Sequence, residues 1–310
     1  MKQNRPVGLA VLLLILILCG CGRQTSAPPG STASKQQQYE PGKTTILVPE
    51  MEEKGVIDGG PLRLDFSHAN QGYFTGILLE EGKVNIQLTG PDQVIYKYFL
   101  ETPNVVTAFP FTSGSGSYLV LAFENIGGDQ YASLFSHSLD VTLENEFLPY
   151  LYPNQYVSFS ADSEAVKLAA SLSQSAETDL DALSAIYEYV INHIVYDDEK
   201  AASVTSGYLP DIDETLRTGK GICFDYAALT AAMLRSLSIP SRLVIGYSSE
   251  VRHAWIDVYI ESIGWVENAI EFNGKDWTLM DPTFAASSDD PEAIQAYIGD
   301  GENYLQQYVR

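Results

Sequence analysis

The sequence predicts an α+β protein, with an all-β, sandwich-like domain over residues 45–150 and an α+β domain over residues 151–310. Three observations support this prediction. Short alternating apolar runs, separated by glycine-rich turns, fill the first segment. Helical apolar spacing then begins near Asp162, and consecutive strand-like runs follow the helices after Pro240.

The first twenty residues have the pattern of a signal peptide. Lys2 and Arg5 give a positive start, and Val7–Leu18 is an apolar run of the length of a signal core. The run ends in LCGC, which resembles a bacterial lipobox, so Cys21 would become the lipidated residue. An ordinary secretory signal cleaved nearby is the alternative. A diacyl group on Cys21 predicts a protein anchored to the extracytoplasmic face of the cell membrane.

Residues 21–44 are predicted to form a flexible tether between the anchor and the folded part. The stretch RQTSAPPGSTASKQQQ is rich in Ser, Gln, Pro and Thr. Such a composition cannot bury enough apolar surface to order itself. Its length favours a protein that faces a cell wall.

The β-domain prediction depends on runs with alternating apolar residues. In Lys83–Thr89 the apolar side chains recur at every second position, and Tyr118–Glu124 and Tyr131–Leu143 repeat the pattern. His68 and His137 stand alone in the sequence, so no metal site is predicted there. The domain carries no recognisable chemistry, and a cell-wall or surface-protein partner is the role left open for it.

The second half begins with a packed crossover, residues 148–159, and continues with predicted helices. Ser163–Ala170 is predicted to form a short helix. Thr178 can cap the next one, with Asp181 three residues on. Strands are then expected from Arg242 onward, and Asp289–Arg310 is predicted to form a terminal helix.

Charge and cysteine usage narrow the function classes. With 40 acidic and 18 basic residues the formal net charge is −22, and no basic run is present, which argues against nucleic-acid binding. Of the three cysteines, Cys19 and Cys21 lie at the leader, which leaves Cys223 as one free thiol in an exported chain. Exported chains normally pair structural cysteines, so an unpaired one accompanied by His and Asp indicates reactivity.

Three residues form the predicted catalytic set. Cys223 follows a glycine-bearing turn and opens a helical run, where the helix N-terminus favours a thiolate. An imidazolium at His253 would stabilise that thiolate, and Asp281 would orient the ring. Backbone N–H groups at the helix start could bind an oxyanion. His193 lies off the apolar stripe of its helix and is expected to be a solvated residue. No cofactor and no metal are implied.

The flanks of these residues resemble the bacterial transglutaminase-like superfamily, whose thiol fold is related in plan to papain. Three stretches match in order: GKGICFDYAALTAAMLRSLSIPSRLVIG over residues 219–246, HAW at His253, and WTLMDPTF over Trp277–Phe284. The resemblance covers roughly Asp179–Phe284. It implies Cys223 as nucleophile, His253 as base and Asp281 as orienter. The side-chain oxyanion donor is not placed by it, and Tyr196 and Tyr208 are the candidates.

The sequence therefore predicts a thiol enzyme that attacks an amide of a protein or peptide substrate. Transfer of the acyl group from Cys223 to an amine would give acyl transfer or protein crosslinking. Transfer to water would give a deamidase or peptidase, and the fold hosts all of these activities. The alternative is a non-catalytic surface binding module whose thiol site has degenerated.

Overall fold

The computed structural model describes residues 39–248, 251–272, 277–279 and 304–310. The predicted signal peptide, the predicted lipidation site Cys21 and the predicted orienter Asp281 lie outside these residues. Within the described part, no helix has the length and apolar character needed to cross a bilayer.

Residues 56–141 form two four-stranded antiparallel sheets. One sheet has the order β1-β2-β3-β6 and the other β5-β4-β7-β8. The strands are β1 Val56–Gly59, β2 Leu62–Asp65, β3 Tyr73–Leu78, β4 Val84–Thr89, β5 Ile95–Leu100, β6 Thr107–Pro110, β7 Gly116–Gly127 and β8 Gln130–Val141. Side chains from both sheets fill one hydrophobic cluster, which gives the predicted sandwich. In β4, Val84, Ile86 and Leu88 are buried as the alternation predicts.

The second half has a hydrophobic cluster of its own, built on helices. The first two are α1 (Glu164–Leu172) and α2 (Asp179–His193). The predicted cap is present, because Thr178 Oγ1 accepts from Asp181 N at 3.1 Å and the Asp181 carboxylate accepts from Thr178 N at 3.0 Å. His193 is exposed at the end of α2, as expected.

Two short helices follow that the sequence analysis did not predict. They are α3 (Asp198–Ser203) and α4 (Ile212–Thr218), capped by the side chains of Asp197 and Asp211. Gly219 ends α4 with a left-handed φ of 64°, a conformation that glycine adopts without strain. The turn returns the chain so that β10 (Lys220–Gly221) pairs in parallel with β9 (Val195–Tyr196).

The central helix is α5 (Cys223–Ser236), which is buried on all sides from Asp225 to Ser236. A five-stranded sheet with the order β14-β13-β12-β11-β15 contributes to the same hydrophobic cluster. Its strands are β11 Ser241–Ser248, β12 Val251–Ile260, β13 Gly264–Phe272, β14 Trp277–Leu279 and β15 Tyr304–Val309. A helical centre followed by consecutive strands is the α+β arrangement that the sequence predicts.

The end of the chain corrects one prediction. Asp289–Arg310 was expected to be helical, but Tyr304–Val309 is a strand that pairs antiparallel with β11. Main-chain hydrogen bonds in both directions between Leu243 and Arg310 continue the pairing. An open sheet edge with unpaired N–H and C=O groups outweighs local helix propensity here.

Side-chain hydrogen bonds fix the segments at both ends of the described chain. Thr112 Oγ1 donates to Val309 O at 3.0 Å, which joins the sandwich to β15. Tyr39, within the predicted tether, donates from its hydroxyl to Ser173 O and Ala176 O, so its side chain belongs to the folded part. The described residues belong to one compact unit.

Candidate active site

Cys223 is the first residue of the buried helix α5, directly after the N-cap residue Ile222. The fully buried carboxylate of Asp225 accepts a hydrogen bond from Ile222 N at 2.8 Å and so satisfies one free N–H at the helix start. This contact fixes the first turn that carries the thiol. Cys223 is partly buried and makes no disulfide.

The Asp225 carboxylate is held from the other side by Lys200 and Tyr208. Lys200 Nζ lies 2.6 Å from Asp225 Oδ2 and also donates to the Tyr208 hydroxyl at 2.6 Å, and that hydroxyl donates to Asp225 Oδ1. The Lys200 ammonium also lies 4.5 Å from the Tyr208 ring centroid. A buried carboxylate is stable only when its oxygens are paired in this way. This network was not predicted from the sequence.

His253 lies on β12 and lines the same cavity of about 420 Å³ as Cys223. The N–H of Ala254, the next residue on the strand, is directed at the Cys223 sulfur and favours its ionised form. The structure therefore brings two of the three predicted catalytic residues to one cavity. Gly246 faces His253 across the β11–β12 pairing.

Burial sets the protonation of both groups. It lowers the pKa of His253 to about 4. It also raises the pKa of Cys223, although the N–H groups of Ala254 and Phe224 oppose that effect. Burial thus favours a thiol and a neutral imidazole over the predicted imidazolium–thiolate pair. A neutral imidazole can still accept the thiol proton as attack begins.

One side of the His253 ring still needs a partner. Its Nε2 is buried and has no hydrogen-bond partner among the described residues. An unpaired buried ring nitrogen is costly, and a carboxylate is a frequent partner for catalytic histidines. Asp281, predicted for this position, lies outside the described residues.

The two tyrosines considered as oxyanion donors have different surroundings. Tyr208 is bound to Asp225 and Lys200, and burial followed by the hydrogen bond to Asp225 raises its pKa to about 12. Tyr196 lines the cavity of Cys223, and its pKa is raised first by burial and then by the neighbouring thiol. Both tyrosines line this cavity. Because the Tyr208 hydroxyl is engaged with Asp225 and Lys200, Tyr196 is the better oxyanion candidate of the two.

A second cavity of about 480 Å³ adjoins the first. The two share Ser206–Tyr208, Phe224, Ile245 and Arg252 in their walls. The far wall of the second cavity belongs to the sandwich, at β5 and the segment after it. From the sequence this domain was expected to carry no chemistry, with a cell-wall or surface-protein partner left open, and no local motif marks the strand that forms the wall.

A group of metal-type ligands lies away from the cavities. Glu50, Glu52 and His68 each place one ligand atom within 4.8 Å of the others, which differs from the expectation that His68 stands alone. Glu52 is also ion-paired with Lys54 at 2.6 Å. These three residues are the described side chains that could hold a divalent cation.

Residues 166–269 match the family model of the transglutaminase-like superfamily. The matched segment begins within α1 and includes α2, α5 and β12, the strand that carries His253. The match covers the stretches at residues 219–246 and at His253, and it confirms the transglutaminase-like resemblance for residues 166–269. The third stretch, Trp277–Phe284, lies beyond the matched segment.

Known proteins with similarity to the chain include kyphoscoliosis peptidase. The human protein is 34% identical over 142 residues, which cover 42% of this chain and 21% of its own length. The mouse protein is 34% identical over 107 residues, covering 31% and 16%. The chain thus spans about a fifth of these relatives.

Two solved structures have weaker likeness. A candidate cysteine protease from Cytophaga hutchinsonii is 18% identical, with a TM-score of 0.36 and coverage of 77% of this chain and 83% of its own. A candidate protease from Parabacteroides distasonis is 10% identical, with a TM-score of 0.30 and coverage of 64% and 62%.

Proposed function

We propose, for a chain whose residues 166–269 form a transglutaminase-like domain, that Cys223 attacks an amide of a protein or peptide substrate. The observation that carries the proposal is the shared cavity of Cys223, at the start of α5, and His253, on β12. The Cys223 sulfur forms a thioester with loss of amine, and water or a second amine then releases the acyl group.

His253 has the role of general base in this proposal. Its neutral ring accepts the thiol proton as the sulfur bonds to the amide carbon, and returns it to the leaving amine. Asp281 is the residue proposed to orient the ring, because the buried Nε2 has no hydrogen-bond partner among the described residues. The N–H groups at the start of α5, with the Tyr196 hydroxyl, stabilise the oxyanion by about 3 kcal/mol for each donor.

The direct test compares the full chain with its Cys223→Ala and His253→Gln variants. Amine incorporation is followed with a fluorescent cadaverine and a glutamine-rich protein, and hydrolysis with a quenched peptide library. The relatives named peptidases make hydrolysis the first activity to assay. Activity of either kind that is lost in Cys223→Ala is the expected result. Equal activity in the wild type and Cys223→Ala would overturn the proposal.

The membrane setting forms part of the proposal. Cys21 would carry a lipid that anchors the chain on the extracytoplasmic face, with the sandwich free to contact a wall or surface protein. Metabolic labelling with an alkyne fatty acid should mark the wild type and not Cys21→Ser. Equal labelling of the two would contradict the lipid anchor.

The alternative is a binding module without catalysis. The raised pKa of Cys223 favours it, because a protonated thiol is a weak nucleophile. The open cavity at Cys223 argues for catalysis, since a purely structural cysteine does not need to be accessible to a substrate. A partner that binds the wild type and Cys223→Ala equally, with no turnover by either, would support the module.

A further inference from the structure

The second cavity is cationic although the chain as a whole is strongly acidic. Lys97, Arg252 and Arg310 lie in its walls, with Glu101 as the acidic residue among the described ones. Glu101 is already paired with Lys83 at 2.5 Å. The cleft therefore carries a local excess of positive charge on a chain whose net charge is −22.

Arg310 is the least expected of these cations. Its side chain is 3% exposed, and its Nε and Nη1 have no hydrogen-bond partner among the described residues. The guanidinium instead lies 4.5–5.3 Å from the ring centroids of four tyrosines: Tyr96, Tyr98, Tyr156 and Tyr308. Rings stabilise a cation without neutralising it, so the charge continues to act on the cavity above it.

The wall of this cavity is held in place before any ligand arrives. Gln155 Nε2 donates to Phe99 O at 2.6 Å, and the Tyr156 hydroxyl donates to Lys97 O at 2.9 Å. These bonds fix β5 of the sandwich to the segment that leads into the transglutaminase-like domain. A cleft with preset walls binds without first having to order them.

Arg252 connects this charge to the thiol. It is exposed, precedes His253 directly, and lines both cavities. Among the described residues, the cavity of Cys223 has no carboxylate in its wall. A negatively charged ligand can therefore extend from the thiol to Lys97 past walls whose one described carboxylate, Glu101, is paired with Lys83.

We propose that this cleft binds an acidic stretch of the polypeptide substrate, with carboxylates near the attacked amide held by Lys97 and Arg252 and attracted by the buried charge of Arg310. The inference rests on the proposed attack of Cys223 on an amide. It assigns the sandwich a role in substrate selection, since β5 supplies one wall. Neutral or basic peptides would be poorer substrates than acidic ones of the same length.

The test uses small probes, so it does not need the natural substrate. Iodoacetate and iodoacetamide alkylate thiols alike but differ by one negative charge. Their rates at Cys223 of the full chain are measured by mass spectrometry of the Cys223 peptide, and their ratio is compared with that for N-acetylcysteine amide. Several-fold preference for iodoacetate over this reference is expected at low salt, decreasing at 0.5 M NaCl.

Variants show which charges act. Arg252→Gln and Lys97→Gln should each lower the iodoacetate preference, whereas Lys167→Gln, an exposed lysine on α1, should leave it unchanged. Arg310 is not substituted because its burial would confuse charge with folding. Hexaglutamate should protect Cys223 from iodoacetamide, and hexaserine, an uncharged peptide of the same length without side-chain amides, should not. A wild-type ratio equal to the reference, or protection by both peptides alike, would overturn the proposal.

The outcomes separate this inference from the proposed function. A charge preference without amide turnover would retain the cleft and refute the enzyme. Amide turnover without a charge preference would retain the enzyme and refute the acidic substrate.

Discussion

The ammonium group of Lys200 lies 2.6 Å from the buried carboxylate of Asp225, two residues after the thiol of Cys223. Asp225 in turn accepts from Ile222 N, the residue that precedes the thiol. The ion pair therefore anchors the helix start whose N–H groups surround the sulfur. The pKa of Lys200 is raised although burial opposes this, because the hydrogen bonds to Asp225 and Tyr208 favour the charged form.

Asp225→Ala should destabilise the protein by about 3 kcal/mol, because it leaves an ammonium and a helix-start N–H without their partner. Urea unfolding followed by circular dichroism measures the change. Glu188→Ala, an exposed acidic residue within α2, is the matched control and should change stability by less than about 0.5 kcal/mol. Similar losses in both variants would contradict a structural role for the pair.

A second prediction concerns Gly246, which is paired with His253 across β11 and β12. A Cβ on Gly246 would lie 2.1 Å from Leu305 O and 2.9 Å from the Trp255 ring, so Gly246→Ala must displace both β15 and the tryptophan. A loss of about 2 kcal/mol or more is expected on thermal or urea unfolding. Gly82→Ala is the control, because no atom lies within 4 Å of its added Cβ. An unchanged stability of Gly246→Ala would show that β15 is not seated as described.

The buried imidazole makes stability depend on pH. The folded pKa of His253 is about 4 against 6.5 for the ordinary side chain, so the unfolded chain binds its proton first. The neutral ring's contribution to the free energy of unfolding is fully present above pH 6.5 and is lost as pH falls through 4. The loss amounts to about 3 kcal/mol by pH 4. Wild type should lose that much more stability than His253→Gln between pH 7 and pH 4. Parallel curves would contradict the burial of the ring.

Substitutions of Tyr196 and Tyr208 should differ in their effects on kcat and stability. Tyr196→Phe removes a hydroxyl near the sulfur and should lower kcat about a hundredfold if that hydroxyl binds the oxyanion. Tyr208→Phe removes a hydrogen bond to Asp225 and should lower stability more than kcat. Turnover and urea unfolding are measured on both variants. The assignment fails if Tyr196→Phe retains wild-type kcat.

The parts predicted best from the sequence are those with a local signal. The GKGICFDYA and HAW stretches place Cys223 at a helix start and His253 on a strand, and both placements are found. Thr178 and Asp181 form the predicted capping box because both partners lie three residues apart. Alternation predicted the burial of the β4 side chains because one face of each sheet forms the core.

The parts missed depend on distant contacts or on very short elements. Helices α3 and α4 have six and seven residues, too few for an apolar period, although their Asp197 and Asp211 caps are readable signals. Strand β15 was predicted as helix because its partner, β11, lies about sixty residues earlier. The Lys200–Asp225 pair and the Arg310 cluster unite residues far apart in sequence, which no local pattern encodes.

The central claim is that the His253 ring takes the proton from the Cys223 thiol, and alkylation of Cys223 tests it without a substrate. Chloroacetamide labelling of the full chain at pH 7 is quantified at the Cys223 peptide for wild type, His253→Gln and His193→Gln. His193 is an exposed histidine on α2 and controls for the substitution itself. Labelling at least tenfold slower than in the wild type is predicted for His253→Gln. His193→Gln should be labelled at the wild-type rate. Equal rates in all three proteins would contradict the account.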